Sequence, residues 1–145
     1  MTEPIALAVQ VNEILSKYIF IHDDIFKLSI RKLIPIPGIF KKIDFKTHYK
    51  NLGTLSEELS KIENEIGKTQ NNSSEKPNTL FVSTLGKYAA SLNKTIKKLY
   101  SISHSMYKKS EGEIYSVHEY NQEMDIYNQY IEQYRNIGLE LNSLL

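Results

Sequence analysis

A chain of 145 residues with 41% apolar and 24% charged residues is long enough for one domain with a real hydrophobic core, and that balance argues against wholesale disorder. A net charge of +1 gives no global preference for nucleic acid or membrane, so any such preference must come from how the charge is distributed. With no cysteine there is no disulfide framework, no thiolate nucleophile and no thiolate zinc site, which accords with a reducing, cytoplasmic setting.

The opening "MTEPIALAVQVNEIL" lacks a basic leader and a signal-type cleavage site. Leu7, Val11, Ile14, Tyr18, Ile21, Ile25 and Leu28 follow at alternating steps of four and three, the seam of a helix packed in coiled-coil fashion. Pro4 suits a first turn, and Pro35 and Pro37 stop the helix, so it is expected over about 3–34. Charges at Glu13, Lys17, Asp23, Asp24, Lys27 and Arg31 interrupt its apolar run, so no membrane span is expected there. Ile19, Phe20, Phe26, Ile30 and Leu33 lie off the seam. A helix apolar on nearly every side is central or covered, which makes Phe20, Phe26 and Ile30 candidates for homodimerisation.

The connection "KLIPIPGIFKKIDF" (32–45) places apolar residues between two prolines, a glycine and lysines. Asp44 then caps a second helix, expected over 44–67, with His48, Leu52, Leu55, Leu59, Ile62 and Ile66 on its seam and Gly67 as its stop. "KTQNNSSEKPN" (68–78) reads as a polar surface linker. The third helix, about 79–109, carries Leu85, Ala89, Leu92, Ile96, Leu99, Ser103 and Met106, and Gly112 marks the next turn. The fourth, about 113–145, carries Val117, Tyr120, Met124, Tyr127, Ile131, Tyr134, Gly138, Leu141 and Leu145. No segment alternates like a strand. The expected fold is all-α: one domain spanning 1–145, an antiparallel up-down-up-down four-helix bundle with long helices and left-handed, shallow crossings.

In that topology one end of the bundle gathers Lys27, Arg31, Lys32, Lys41, Lys42, Lys46, Lys50, Lys108 and Lys109, opposed nearby by Asp44, Glu111 and Glu113 alone. Ile36, Ile39, Phe40, Lys41, Lys42, Lys46, Lys108 and Lys109 form the expected partner-binding surface. Ile36, Ile39 and Phe40 could equally fold back as a lid over the bundle end. An acidic, partly apolar protein is the first partner expected and an anionic membrane the second. Nucleic acid ranks last, because arginine is scarce and Phe40 is the loop's only stacking ring.

Lysines alone between residues 87 and 109 face acids between 111 and 140, with Arg135 the one exception, and pairing across the bundle is expected of them. Tyr120, Tyr127 and Tyr134 repeat every seven residues and belong in the core, whereas Tyr115 and Tyr130 lie off the seam and belong on the surface.

Catalytic signals are poor. His22, Asp23 and Asp24 are consecutive on a helix and point in different directions; Glu119 and Glu123 share a face, but the Glu-x-x-His pattern of di-metal bundles is missing. There is no phosphate loop, zincin motif or nucleophile elbow. No catalytic, cofactor-binding or metal site is expected, and the reading is a non-catalytic interaction protein: an adaptor, regulator or immunity-type binder. The bias to Ile, Lys and Asn suggests an AT-rich genome, bacterial or phage.

Overall fold

The computed structural model describes residues 3–31, 43–72 and 76–145, with side chains over 3–26, 43–71 and 79–145. Four helices carry these residues: α1 (Glu3–Arg31), α2 (Phe45–Asn72), α3 (Lys76–Ser110) and α4 (Val117–Asn142). Contacts between them fix an antiparallel order. Asp24 of α1 meets His48 of α2, while Ile21 shares a cleft with the later Thr54 and Leu55. Tyr49 of α2 meets Tyr107 near the end of α3, and Ile66 meets the earlier Gly86. Lys94 of α3 sits over Tyr130 of α4, and Tyr88 over the later Gly138. The result is the up-down-up-down four-helix bundle.

Its core is one cluster drawn from all four helices. Leu7, Val11, Ile14, Tyr18, Ile21 and Ile25 of α1 are buried, as are Leu52, Leu55, Leu59 and Ile66 of α2 and every expected seam residue of α3 from Leu85 to Ser103. Met106, Met124, Ile131 and Ile62 pack partly buried against that cluster. Leu28 lies outside the described side chains.

The local signals act as expected at the start of α2. Asp44 accepts from the Thr47 backbone N–H at 3.1 Å and from its hydroxyl at 2.8 Å, satisfying a donor that the first helical turn leaves unpaired. These bonds, the backbone one foremost, hold its carboxyl below the usual carboxylate range. Other boundaries differ. Gly67 is helical and α2 continues to Asn72, while α3 begins at Lys76, so both helices extend into the expected linker. Glycine costs a helix only about 1 kcal/mol, and Pro77 falls in a first turn, where its missing N–H is not needed. The fourth helix starts at Val117 rather than 113, because the Ser116 hydroxyl accepts from the Glu119 backbone N–H and caps it there. Val117, one residue inside that cap, is 68% exposed, and Leu145, beyond the last helical residue, is 81% exposed. The seam thus stops short of the positions that its spacing includes.

Among the described residues the helix whose backbone comes close to all three others is α3, whereas α1 reaches α4 through side chains alone. Thr84, Tyr88, Thr95 and Ile102 give it a second buried line beside the seam. Threonine disguises that line: the Thr95 hydroxyl donates to the Ser91 carbonyl at 2.9 Å, so a residue that reads as polar is satisfied inside its own helix. Over Glu3–Phe26, α1 reaches a mean hydropathy of 1.2 across 18 residues, long and apolar enough by length and composition to cross a membrane. The scattered charges therefore break the run less than expected, although its seam is packed within the bundle.

Candidate functional site

Among the described residues α1 and α4 approach within 8 Å at no pair of Cα atoms, whereas α1 comes close to α3 across the diagonal. Long side chains bridge the gap. The Tyr18 and Tyr127 hydroxyls meet at 2.5 Å, and Nδ1 of His22 lies 2.6 Å from the same Tyr127 oxygen, so one hydroxyl joins all three side chains. Phe26 stacks on Tyr127 with centroids 6.1 Å apart, and Tyr134 meets Tyr18 edge-on. Burial pushes the Tyr18 and Tyr127 hydroxyls well above their ordinary pKa, and burial lowers that of His22 against the opposing pull of Asp23. A neutral, hydrogen-bonded chain is the result, suited to filling space rather than to accepting a proton from a substrate.

Towards the N-terminus of α1 this bridge gives out and a groove opens. One part, of about 470 Å³, lies between Ala8, Asn12 and Leu15 of α1 and Gly138 and Asn142 of α4, with Tyr88 of α3 on its floor. A second part, of about 320 Å³, shares Leu15, Tyr88, Gly138 and Asn142 and runs on past Ile19, Arg135 and Leu139. Gly138 is needed here: a Cβ at that position would sit 2.8 Å from the Tyr88 ring. Ile5, Val9, Ile19, Leu139 and Leu145 line the groove and are exposed.

The α2/α3 face carries a different surface. Tyr49 has the rings of His104, Tyr107 and Tyr100 around it at 4.8, 5.6 and 5.7 Å, and His104 stacks with Tyr100 at 6.0 Å. Lys46, Lys50, Lys97 and Lys108 are exposed on the same stretch of the two helices. The sequence reading missed these rings, because Tyr49, Tyr100, His104 and Tyr107 belong to no one seam. They signal themselves only as pairs at helical spacing (100, 104 and 107) beside lysines.

The expected site residues fall as follows. Ile36, Ile39, Phe40, Lys41 and Lys42 lie outside the described residues, so neither a docking loop nor a lid can be described. Lys46, Lys108 and Lys109 are exposed at the basic end. Of the self-association candidates, Phe20 is 73% exposed beside a cleft of about 490 Å³ between α1 and α2; Phe26 is instead half-buried against the core, and the Ile30 side chain lies outside the described set. Tyr115 is buried, not on the surface. The segment before α4 folds back so that its hydroxyl donates to Glu123 at 3.0 Å and its ring meets Tyr120 edge-on, and burial pushes its pKa up. Tyr130 is half-buried beneath Lys94, whose Nζ lies 4.3 Å from the ring centre. Among the described residues no α3 lysine lies within ion-pair distance of an α4 acid; Lys94 instead sits over the Tyr130 ring.

The acid–histidine groups are dispersed. His22 engages Tyr127, Asp24 engages Nε2 of His48 at 2.6 Å, and His118 is exposed. Nδ1 of His48 and the Ser103 hydroxyl are buried without partners. Among the described residues no hydrogen bond links His48 to Ser103, and Ser103 is only 1% exposed. Among the described residues no three His, Asp or Glu side chains converge as metal ligands. No protein-family model, curated protein or solved structure matches this chain.

Proposed function

We propose that this chain is a non-catalytic interaction protein that receives an amphipathic helix of a protein partner between α1 and α4. The open seam carries this reading: two helices with no close backbone approach, a continuous groove between them, and exposed apolar residues along it. From Ile5 to Ile19 the groove is about 21 Å long at 1.5 Å per residue, room for some four turns of helix. Helices dock into such grooves through apolar residues at i, i+3, i+4 and i+7. The test uses wild-type protein and a Val9→Glu, Leu139→Glu double variant as baits in host extract. A partner held by the wild type and lost by the variant supports the reading, and an identical set of captured proteins for both baits refutes it.

A second reading, attachment to an anionic membrane surface, draws on the apolar window of α1 and its exposed Ile5, Val9 and Phe20. Co-sedimentation with vesicles that requires anionic lipid and weakens with salt would favour it over protein docking.

A further inference from the structure

We propose that the α2/α3 face at the basic end binds an acidic segment of a protein, through a patch of tyrosine hydroxyls and lysines separate from the α1/α4 groove. The rings form a built cluster: Tyr49 is its hub, and one edge of the Tyr100 ring (Cδ2 and Cε2) packs close over Gly53 of α2. A Cβ there would stand 3.3 Å from the Tyr100 ring. Tyr100 is 37% exposed and the other three rings are half-buried, so their edges reach solvent. Among the described residues the hydroxyls of Tyr49, Tyr100 and Tyr107 have no hydrogen-bond partner, which leaves three donors on one face.

Charge surrounds these donors on both helices. Lys46 precedes Tyr49 by one turn and Lys50 follows it directly; Lys97 precedes Tyr100 by one turn and Lys108 follows His104 by one turn. All four are exposed and, among the described residues, none is in an ion pair. The 35 residues of α3 include no acid, and α2 has none before Glu57. The acids nearest in sequence to these lysines are Asp44, which caps α2, Glu57 and Glu111.

The ring geometry selects the partner. Tyr100 and His104 stack at 19°, and Tyr49 packs edge-to-face with both, at 82° and 63°, so the rings largely cover one another. A base of single-stranded nucleic acid needs an open face to stack on, whereas a carboxylate needs the hydroxyl donors and ammonium groups that this face carries. Electrostatic complementarity of this kind gives specificity and a fast, salt-sensitive encounter.

The test titrates a fluorescein-labelled dodecapeptide of Glu, Asp and Leu against full-length protein, with binding mapped by NMR. Binding should weaken as salt rises and shift the ring resonances of Tyr49, Tyr100 and His104. Lys46→Glu with Lys97→Glu should lower affinity about 25-fold, at about fivefold per lysine. Tyr100→Phe keeps the ring packing and should still weaken binding, and Lys87→Glu, elsewhere on α3, should not. Equal loss in the Lys87→Glu control, shifts that avoid these rings, or no binding would each overturn the proposal. So would tighter binding of a dodecameric oligo(dT), or of phosphatidylserine vesicles, than of the peptide.

Discussion

The α2/α3 seam and the α1/α4 seam share one core but are closed by different means. Between α2 and α3 the backbones come close, and short polar side chains reach across. The Ser56 hydroxyl donates to Oδ1 of Asn93 at 2.7 Å, while the Asn93 amide donates to Ser60 and Glu63, each at 3.0 Å. Leu52, Leu59, Leu92, Ile96 and Leu99 fill the space beside this network and are fully buried. Between α1 and α4 only rings are long enough. Tyr18 and Tyr127 meet tip to tip, and where no ring reaches, a groove remains. The α2/α3 seam is satisfied around Asn93, although Nδ1 of His48 and the Ser103 hydroxyl on the same two helices are buried without partners among the described residues; the α1/α4 seam is satisfied where the tyrosine hydroxyls meet.

The largest expected effect breaks this comparison if it fails. Ile96→Ala empties a site with no exposure and should cost about 2 to 5 kcal/mol, read from chemical denaturation. Ile131→Ala, on the half-buried α4 side, should cost clearly less, since solvent fills part of the space. Equal losses would mean that α4 is packed as tightly against the core as the α2/α3 side.

Next in size are the two polar bridges. Asn93→Ala strands the Ser56 hydroxyl, and Tyr127→Phe strands the Tyr18 hydroxyl and the His22 nitrogen. Each should cost about 1 to 3 kcal/mol. Because the bridges share no partner, the double variant should show additive losses within about 0.5 kcal/mol. A larger coupling would show that the two seams act as one unit.

The smallest expected effect is in pH dependence. His22 has its native pKa lowered from 6.5, so the unfolded chain takes up its proton first. Stability is unaffected well above pH 6.5, falls as the pH drops through 6.5 towards the native value, and levels off below it. His22→Gln should flatten that part of the profile of midpoint against pH. At the alkaline end the sign reverses in origin: burial raises Tyr88 to about 12 and Tyr18 and Tyr127 higher still, so stability falls once the unfolded tyrosines ionise above pH 10. Tyr127→Phe should reduce that loss, sharpening the assignment of the aromatic bridge to the α1/α4 seam.

The spacing of apolar residues was enough to determine four helices, their buried stripes and an antiparallel bundle, because a helix must hide a stripe of period 3.6 and short connections bring successive helices back side by side. Asp44 as a cap was legible for the same local reason. What spacing could not determine is which helix sits in the middle. Thr84 and Thr95 lie off the apolar seam of α3, yet both are buried, and the Thr95 hydroxyl bonds within its own helix. Nor could it determine that α1 leans towards α3 and away from α4, or that Tyr49 gathers three rings from another helix. Those facts depend on how four stripes share one interior: side-chain volumes across the bundle decide which seams close and which stay open, and no single helix carries that information.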